Sequence, residues 1–266
     1  MTFSVVCYDK NQEAWGVGVA SKYLAAGSTV PWAKPSVGAV ATQAYANVSY
    51  GPEGLELLRS FSAAEVVEKL TSPDILKEKR QVAVVDRNGN AAAFTGSECN
   101  SYAGHITGDG FSVQGNILAG PEVIEAMASV MEGRGRIEDR IMEALIRADE
   151  KGGDRRGRQS AAIFIVSEKE QYEEGSDRMV DLRIDNSPKP LGELKWALKN
   201  WKATFFQNPM VTFTESGKIR DRLDAMHFKT VEEWASMNNF SSKVSGNMID
   251  REVLDVLMEV SKPGNS

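Results

Sequence analysis

Two hydrophobic periods take turns along this chain, one of about two residues and one between three and four. Residues 2–8 (TFSVVCY) and 14–21 (AWGVGVAS) are β-branched and aromatic runs around the polar stretch Asp9-Lys10-Asn11-Gln12-Glu13, which predicts a β-hairpin. If its strands face across a five-residue loop, paired positions sum to about 22, so Thr2 lies opposite Ala20 and within diagonal reach of Lys22. Residues 37–45 (VGAVATQAY) predict a third strand, and 51–59 a helix with Pro52 in its first turn, where a missing N–H costs nothing. Ser62 and Glu65 have capping-box spacing, and Val66, Val67 and Leu70 extend an apolar helix face. Residues 81–86 and 91–95 flank Arg87-Asn88-Gly89-Asn90, an Asn-Gly hairpin turn.

Residues 96–120 are rich in Gly, Ser and Asn, with a short strand predicted at 111–114 and a glycine-rich loop at 104–110. Pro121 starts a helix that ends near Gly133, and a second helix over 137–151 ends at Gly152-Gly153. Residues 160–167 and 179–184 are the last clear strands. Two helix pairs set between antiparallel hairpins predict stacked sheets with helices outside, not the alternation of a doubly wound parallel sheet. The segment Asn186-Ser187-Pro188-Lys189-Pro190 interrupts helix and sheet alike, and divides a domain of residues 1–190 from a C-terminal region of residues 191–266. That region reads as a small helical appendage for packing or oligomerisation, and it holds Trp196, Trp201 and Trp234.

Charge narrows the choice of partner. With 31 Lys+Arg against 37 Asp+Glu the net charge is −6, so no overall basic field attracts nucleic acid or anionic membrane. Two cysteines make no disulfide framework, and two histidines at 105 and 227 make no helical metal pair. We therefore expect no metal and no organic cofactor. No run of 18 apolar residues occurs and the N-terminus lacks a secretion-signal layout, which reads as a soluble cytoplasmic protein. Exposed sheet edges suit a homo-oligomer.

Familiar catalytic motifs are missing: no G-x-S-x-G elbow, Walker loop or dinucleotide fingerprint. Cys7 and Cys99 have no adjacent histidine and read as small buried residues. Thr2 is different. Removal of Met1 puts a hydroxyl and an α-amine on one residue, and an α-amine with a pKa of about 7.7 to 8.0 can act as base for that hydroxyl. An ammonium at Lys22 would favour the alkoxide; a solvated strand end is the plainer reading of that lysine.

The blocks MTFSVVCYD, WGVGVASKYLAAGSTVPWA, ATQAYANVSYGPEGLELL, AAFTGSEC, VQGNILAGPEV and GGDRRGRQSAA resemble, in that order, those of the DUF1028 family, which is grouped with the Ntn (N-terminal nucleophile) hydrolases. The resemblance covers about residues 1–190. It implies an α+β fold, the four-layer αββα sandwich of proteasome-like proteins, and a hydrolase that cleaves a small amide or peptide-like substrate. By position it implies Thr2 as nucleophile, Lys22 as the neighbouring cation, Asn116 as oxyanion donor, and Asp154 with Ser160 as the pair that orients the amine. Gln43 and Asn47 precede a helix whose N–H groups suit an oxyanion; Gln43 equally suits a buried amide tying strands together, and Asn116 a cap or turn. Tyr50 reads as a pocket wall or as core. Arg155, with Arg156 and Arg158, makes a locally basic loop suited to a substrate carboxylate or to surface ion pairs. The alternative function is a non-catalytic module that binds a metabolite or protein on the same fold.

Overall fold

The first hairpin closes one residue tighter than the polar spacer suggests. In the computed structural model, which describes residues 2–259, β1 (Thr2–Asp9) and β2 (Ala14–Ser21) pair as Phe3↔Ala20 through Asp9↔Ala14, a sum of 23. The reason is local: the Asp9 carboxylate accepts from the backbone N–H groups of Asn11 (2.9 Å) and Gln12 (3.0 Å), so Asp9 ends the strand and only four residues form the turn. Because side chains alternate, this one-residue shift turns Ser21, and not Lys22, to the side of the sheet that Thr2 faces.

After the hairpin come β3 (Pro31–Lys34), β4 (Gly38–Ala44), α1 (Tyr50–Leu57), α2 (Ala63–Thr71), β5 (Arg80–Asp86) and β6 (Ala91–Thr95). Next follow β7 (Gly104–Gly108), β8 (Phe111–Asn116), α3 (Glu122–Met131), α4 (Ile137–Glu150), β9 (Ser160–Ser167), β10 (Arg178–Ile184) and α5 (Pro190–Phe205). The predicted capping box at Ser62 and Glu65 forms, and so does the Asn-Gly hairpin, with Gly89 at φ +87°. The segment read as a glycine-rich loop is in fact edge strand β7; its residues are at best half-buried, so it carries no apolar run, and its backbone bonds go to β8.

The sheets are antiparallel. One has the order β10-β9-β2-β1-β8-β7, the other β3-β4-β5-β6. Val6, Trp15, Val17 and Val19 of the first pack with Ala39, Ala41, Ala83 and Val85 of the second. The other face of β1 and β2 carries α4, which approaches so closely that a Cβ on Gly18 would lie 2.4 Å from Ile141 Cγ2. Glycine is what the contact requires. On the four-stranded sheet, Val40, Val82 and Val84 pack with Leu58, Val66 and Leu70 of the α1–α2 region, and Trp32 lies against Gly51. The result is a mixed α/β protein with antiparallel sheets and, among the described residues, eight α-helices.

Two compact units divide between Lys195 and Trp196, inside α5. The second contains β11 (Met210–Thr212), α6 (Lys218–Ala225), α7 (Val231–Met237), β12 (Val244–Ser245), β13 (Met248–Asp250) and α8 (Arg251–Glu259). It is less purely helical than its sequence suggests, because β11, β13 and β12 form a small sheet. Trp234, Leu223, Ile249 and Val253 make its core, and Lys243 and Asp250 pair at 3.4 Å. No described helix is long and apolar enough to cross a membrane.

Candidate functional site

Four polar residues from four adjacent strands line up at one end of the six-stranded sheet. Ser160 of β9 pairs with Ser21 of β2, and Thr2 of β1 pairs with Asn116 of β8. The Thr2 and Ser21 hydroxyls are 3.0 Å apart, and all four residues are buried. Cross-strand partners share a face, and here it is the one toward the second sheet.

Behind this row the inter-sheet core turns polar. The Ser4 hydroxyl donates to Gln43 Oε1 (2.6 Å) and accepts from Gln114 Nε2 (2.6 Å), whose own Oε1 accepts from the Ser112 hydroxyl (3.0 Å). Gln43 Nε2 donates to Gln81 Oε1 (2.7 Å) and lies 3.4 Å from the Thr2 carbonyl, while Asn116 Nδ2 donates to Gln81 Oε1 at 3.0 Å. The set of amides meets the requirement that buried polar groups be paired. It also joins Gln43, Asn116 and the backbone of Thr2 in one network. Of the two readings of Gln43, the buried amide tying strands together is the one its bonds describe. Gln81 and Ser4 had a signal in the sequence, each a polar residue on the inward-facing parity of a mainly apolar strand, whereas Gln114 sits on the wholly polar inward side of β8 with Ser112 and Asn116.

Three loops are stitched together beside the row. Asp154 accepts from the backbone N–H groups of Lys22 (2.6 Å) and Arg156 (2.9 Å), Leu118 bridges to Asp154, and Arg155 N–H donates to Ile117 O (3.4 Å). Ile117, just after Asn116, has φ +49°, and Ala44, just after Gln43, has φ +67°. Left-handed backbone is uncommon for alanine and strained for a β-branched isoleucine. Such strain gathers where surrounding structure holds a turn for function.

The remaining predicted residues take other roles. Lys22 is exposed and its ammonium donates to the Arg158 carbonyl at 3.3 Å, while the hydrogen-bond partner of the Thr2 hydroxyl is Ser21. Ser160 donates to Tyr23 O (2.6 Å) and accepts from Ala26 N–H (3.1 Å), which ties down the loop after β2. Asn47 Oδ1 accepts from Ser49 at the start of α1, the contact of a turn residue. Tyr50 is core: it is buried among α1, α2 and the four-stranded sheet, and its phenol donates to Asp74 at 2.7 Å. Burial and that bond push the phenol pKa up, whereas the Arg80 guanidinium holds the Asp74 carboxyl down at about 2. Arg155 is exposed.

The thiols are poor nucleophiles. Burial pushes Cys7 up to about 12 and also raises Cys99, whose Sγ lies 3.2 Å from Arg80 O. Among the described residues no group of three or more His, Cys, Asp or Glu is placed to hold a metal ion. Removal of Met1 concerns a residue outside those described.

Comparison with known proteins adds kinship. A family model described as a family of unknown function, DUF1028, matches residues 2–194. The crystal structure of a Silicibacter pomeroyi protein assigned to the same family superposes with a TM-score of 0.69 at 30% identity, covering 78% of this chain and 94% of that one. No curated protein matches the chain.

Proposed function

Because the chain belongs to the DUF1028 family, and because its second residue starts a central strand among hydroxyls and amides, we propose that it is an amidohydrolase of the N-terminal nucleophile type. In this reading the two sheets with helices on their outer faces are the four-layer αββα sandwich of that superfamily. Cleavage of the Met1–Thr2 bond exposes an amine on the residue that carries the nucleophilic hydroxyl. Thr2 Oγ1 then attacks the carbonyl of a small amide or peptide-like substrate, the amine takes the hydroxyl proton and returns it to the leaving nitrogen, and water hydrolyses the acyl ester. Asn116 Nδ2 has a second hydrogen besides the one given to Gln81, and this N–H is the proposed donor to the oxyanion. No step requires a cofactor. The observation that carries the reading is the placement of Thr2 beside Ser21 and Asn116 in a buried polar row.

One observation favours a second reading, a binding module without catalysis. The Lys22 ammonium donates to the Arg158 carbonyl, and the hydrogen-bond partner of the Thr2 hydroxyl is Ser21 and not that lysine. The two separate cleanly. Protein shown by mass spectrometry to begin at Thr2 is treated with a hydroxyl-directed acylating probe and a panel of small amides. The enzyme labels at Thr2 and loses at least about 100-fold in turnover on Thr2→Ala. A binding module neither labels nor hydrolyses, and Thr2→Val leaves its ligand affinity unchanged.

A further inference from the structure

Gln81, the second residue of β5, has no exposed surface, and its carboxamide has five polar neighbours. Nε2 lies 2.8 Å from Gly115 O, 3.1 Å from Gly104 O and 3.0 Å from Thr95 Oγ1. Oε1 lies 2.7 Å from Gln43 Nε2 and 3.0 Å from Asn116 Nδ2. Two of these neighbours are backbone carbonyls, which only accept. The amino end of Gln81 must face them, so Oε1 faces the other way.

From that one orientation the rest of the network follows. Gln43 and Asn116 have to turn amino groups toward Gln81 Oε1, because the reverse sets oxygen against oxygen. Gln43 Oε1 is then left to accept from the Ser4 hydroxyl. Since Ser4 has a single proton, its oxygen must accept from Gln114 Nε2, and Gln114 Oε1 accepts from Ser112. Turning Gln114 around would leave one of the short O···O contacts at Ser4 without a proton. Two carbonyls on β7 and β8 thus dictate which way each amide of this network points.

We propose that Gln81 is the positioning residue of this site. A single buried oxygen holds the amino group of Asn116 and, through Gln43, is linked to the carbonyl of Thr2, which keeps the donor and the nucleophile's strand in one frame. The catalytic consequence rests on the amidohydrolase reading; the lock itself does not. Gln81 has no contact with Thr2 Oγ1 and acts only through Asn116 and Gln43.

The lock is read in 15N-labelled full-length protein from hydrogen exchange of side-chain NH2 groups, with the Asn116 signal identified by its loss in Asn116→Asp. In the wild type, the Asn116 amino protons should exchange at least about 100-fold more slowly than those of the exposed turn residue Asn88. In folded Gln81→Met, which keeps shape without hydrogen bonds, that exchange should rise at least about tenfold. If the enzymatic reading holds, kcat should fall about tenfold or more while KM stays within about threefold, because a donor used only in the transition state is misaligned. Asn116 protons that exchange like those of Asn88 in the wild type overturn the proposal without any variant, as does unchanged exchange in Gln81→Met. Slow exchange that Gln81→Met abolishes, in a protein without hydrolytic activity, upholds the lock and overturns the enzymatic reading alone.

Discussion

Gln43→Leu tests whether the polar layer between the sheets is held together by its hydrogen bonds or merely tolerated. Leucine is close to glutamine in volume, so the cavity contribution is small and the loss is mainly polar. Three contacts disappear: the one from the Ser4 hydroxyl at 2.6 Å, the one to Gln81 Oε1 at 2.7 Å, and the longer one to the Thr2 carbonyl at 3.4 Å. Gln81 Oε1 keeps Asn116 as a donor and the Thr2 carbonyl loses only a long contact, so the main loss is the Ser4 O–H, stranded in a site with no exposure. One stranded buried donor costs about 1–3 kcal/mol. In a unit of this size that lowers Tm by about 2–12 °C, at roughly 2–4 °C per kcal/mol. Calorimetry is the assay, since two units need not melt as one transition. The double variant Ser4→Ala/Gln43→Leu removes donor and acceptor together and should cost about 1 kcal/mol less than the two single losses added. A Tm drop under about 1 °C for Gln43→Leu, or additivity within about 0.3 kcal/mol, would refute the argument.

Gly18→Ala should destabilise by about 1–3 kcal/mol, because its Cβ meets Ile141 Cγ2 at 2.4 Å, and Ile141→Ala in the same chain should recover part of that loss in thermal melts. The Asp74 carboxyl, held at about 2 chiefly by Arg80, lies below its unfolded value of about 3.9, so its contribution is complete above about pH 4 and lost as pH falls through about 2. Urea midpoints from pH 5 to pH 2 should show that acid slope in the wild type and a shallower one in Asp74→Asn. Cys7, pushed up to about 12 by burial, should resist alkylation in native protein at pH 8 and react only on unfolding, as mass mapping of modified thiols would show.

Much of the fold was legible because its signals are short-range. The Asn-Gly turn, the Ser62–Glu65 capping box and the apolar runs of β2 and β9 depend on residues within a few positions of one another. β7 was not legible, since an edge strand with half-solvated faces needs no apolar run and owes its existence to β8. The hairpin register was missed because it depends on which side-chain oxygen closes the turn, here that of Asp9. That single residue of register made Ser21, and not Ala20, the position opposite Thr2.

The amino-acid order by itself determined most helices and strands of residues 1–190, the antiparallel hairpins, the net negative charge and the family blocks that draw attention to Thr2, Asn116 and Asp154. Only the tertiary structure decided that Thr2, Ser21 and Asn116 meet in one buried row, that Tyr50 belongs to the core, and that Gln81 orients the amides behind the row. The division has a physical cause. Turns and caps are settled by bonds that close within a few residues, whereas the direction of a buried amide is settled by whichever carbonyls the fold brings to it, and those of Gly104 and Gly115 lie 23 and 34 residues from Gln81 along the chain.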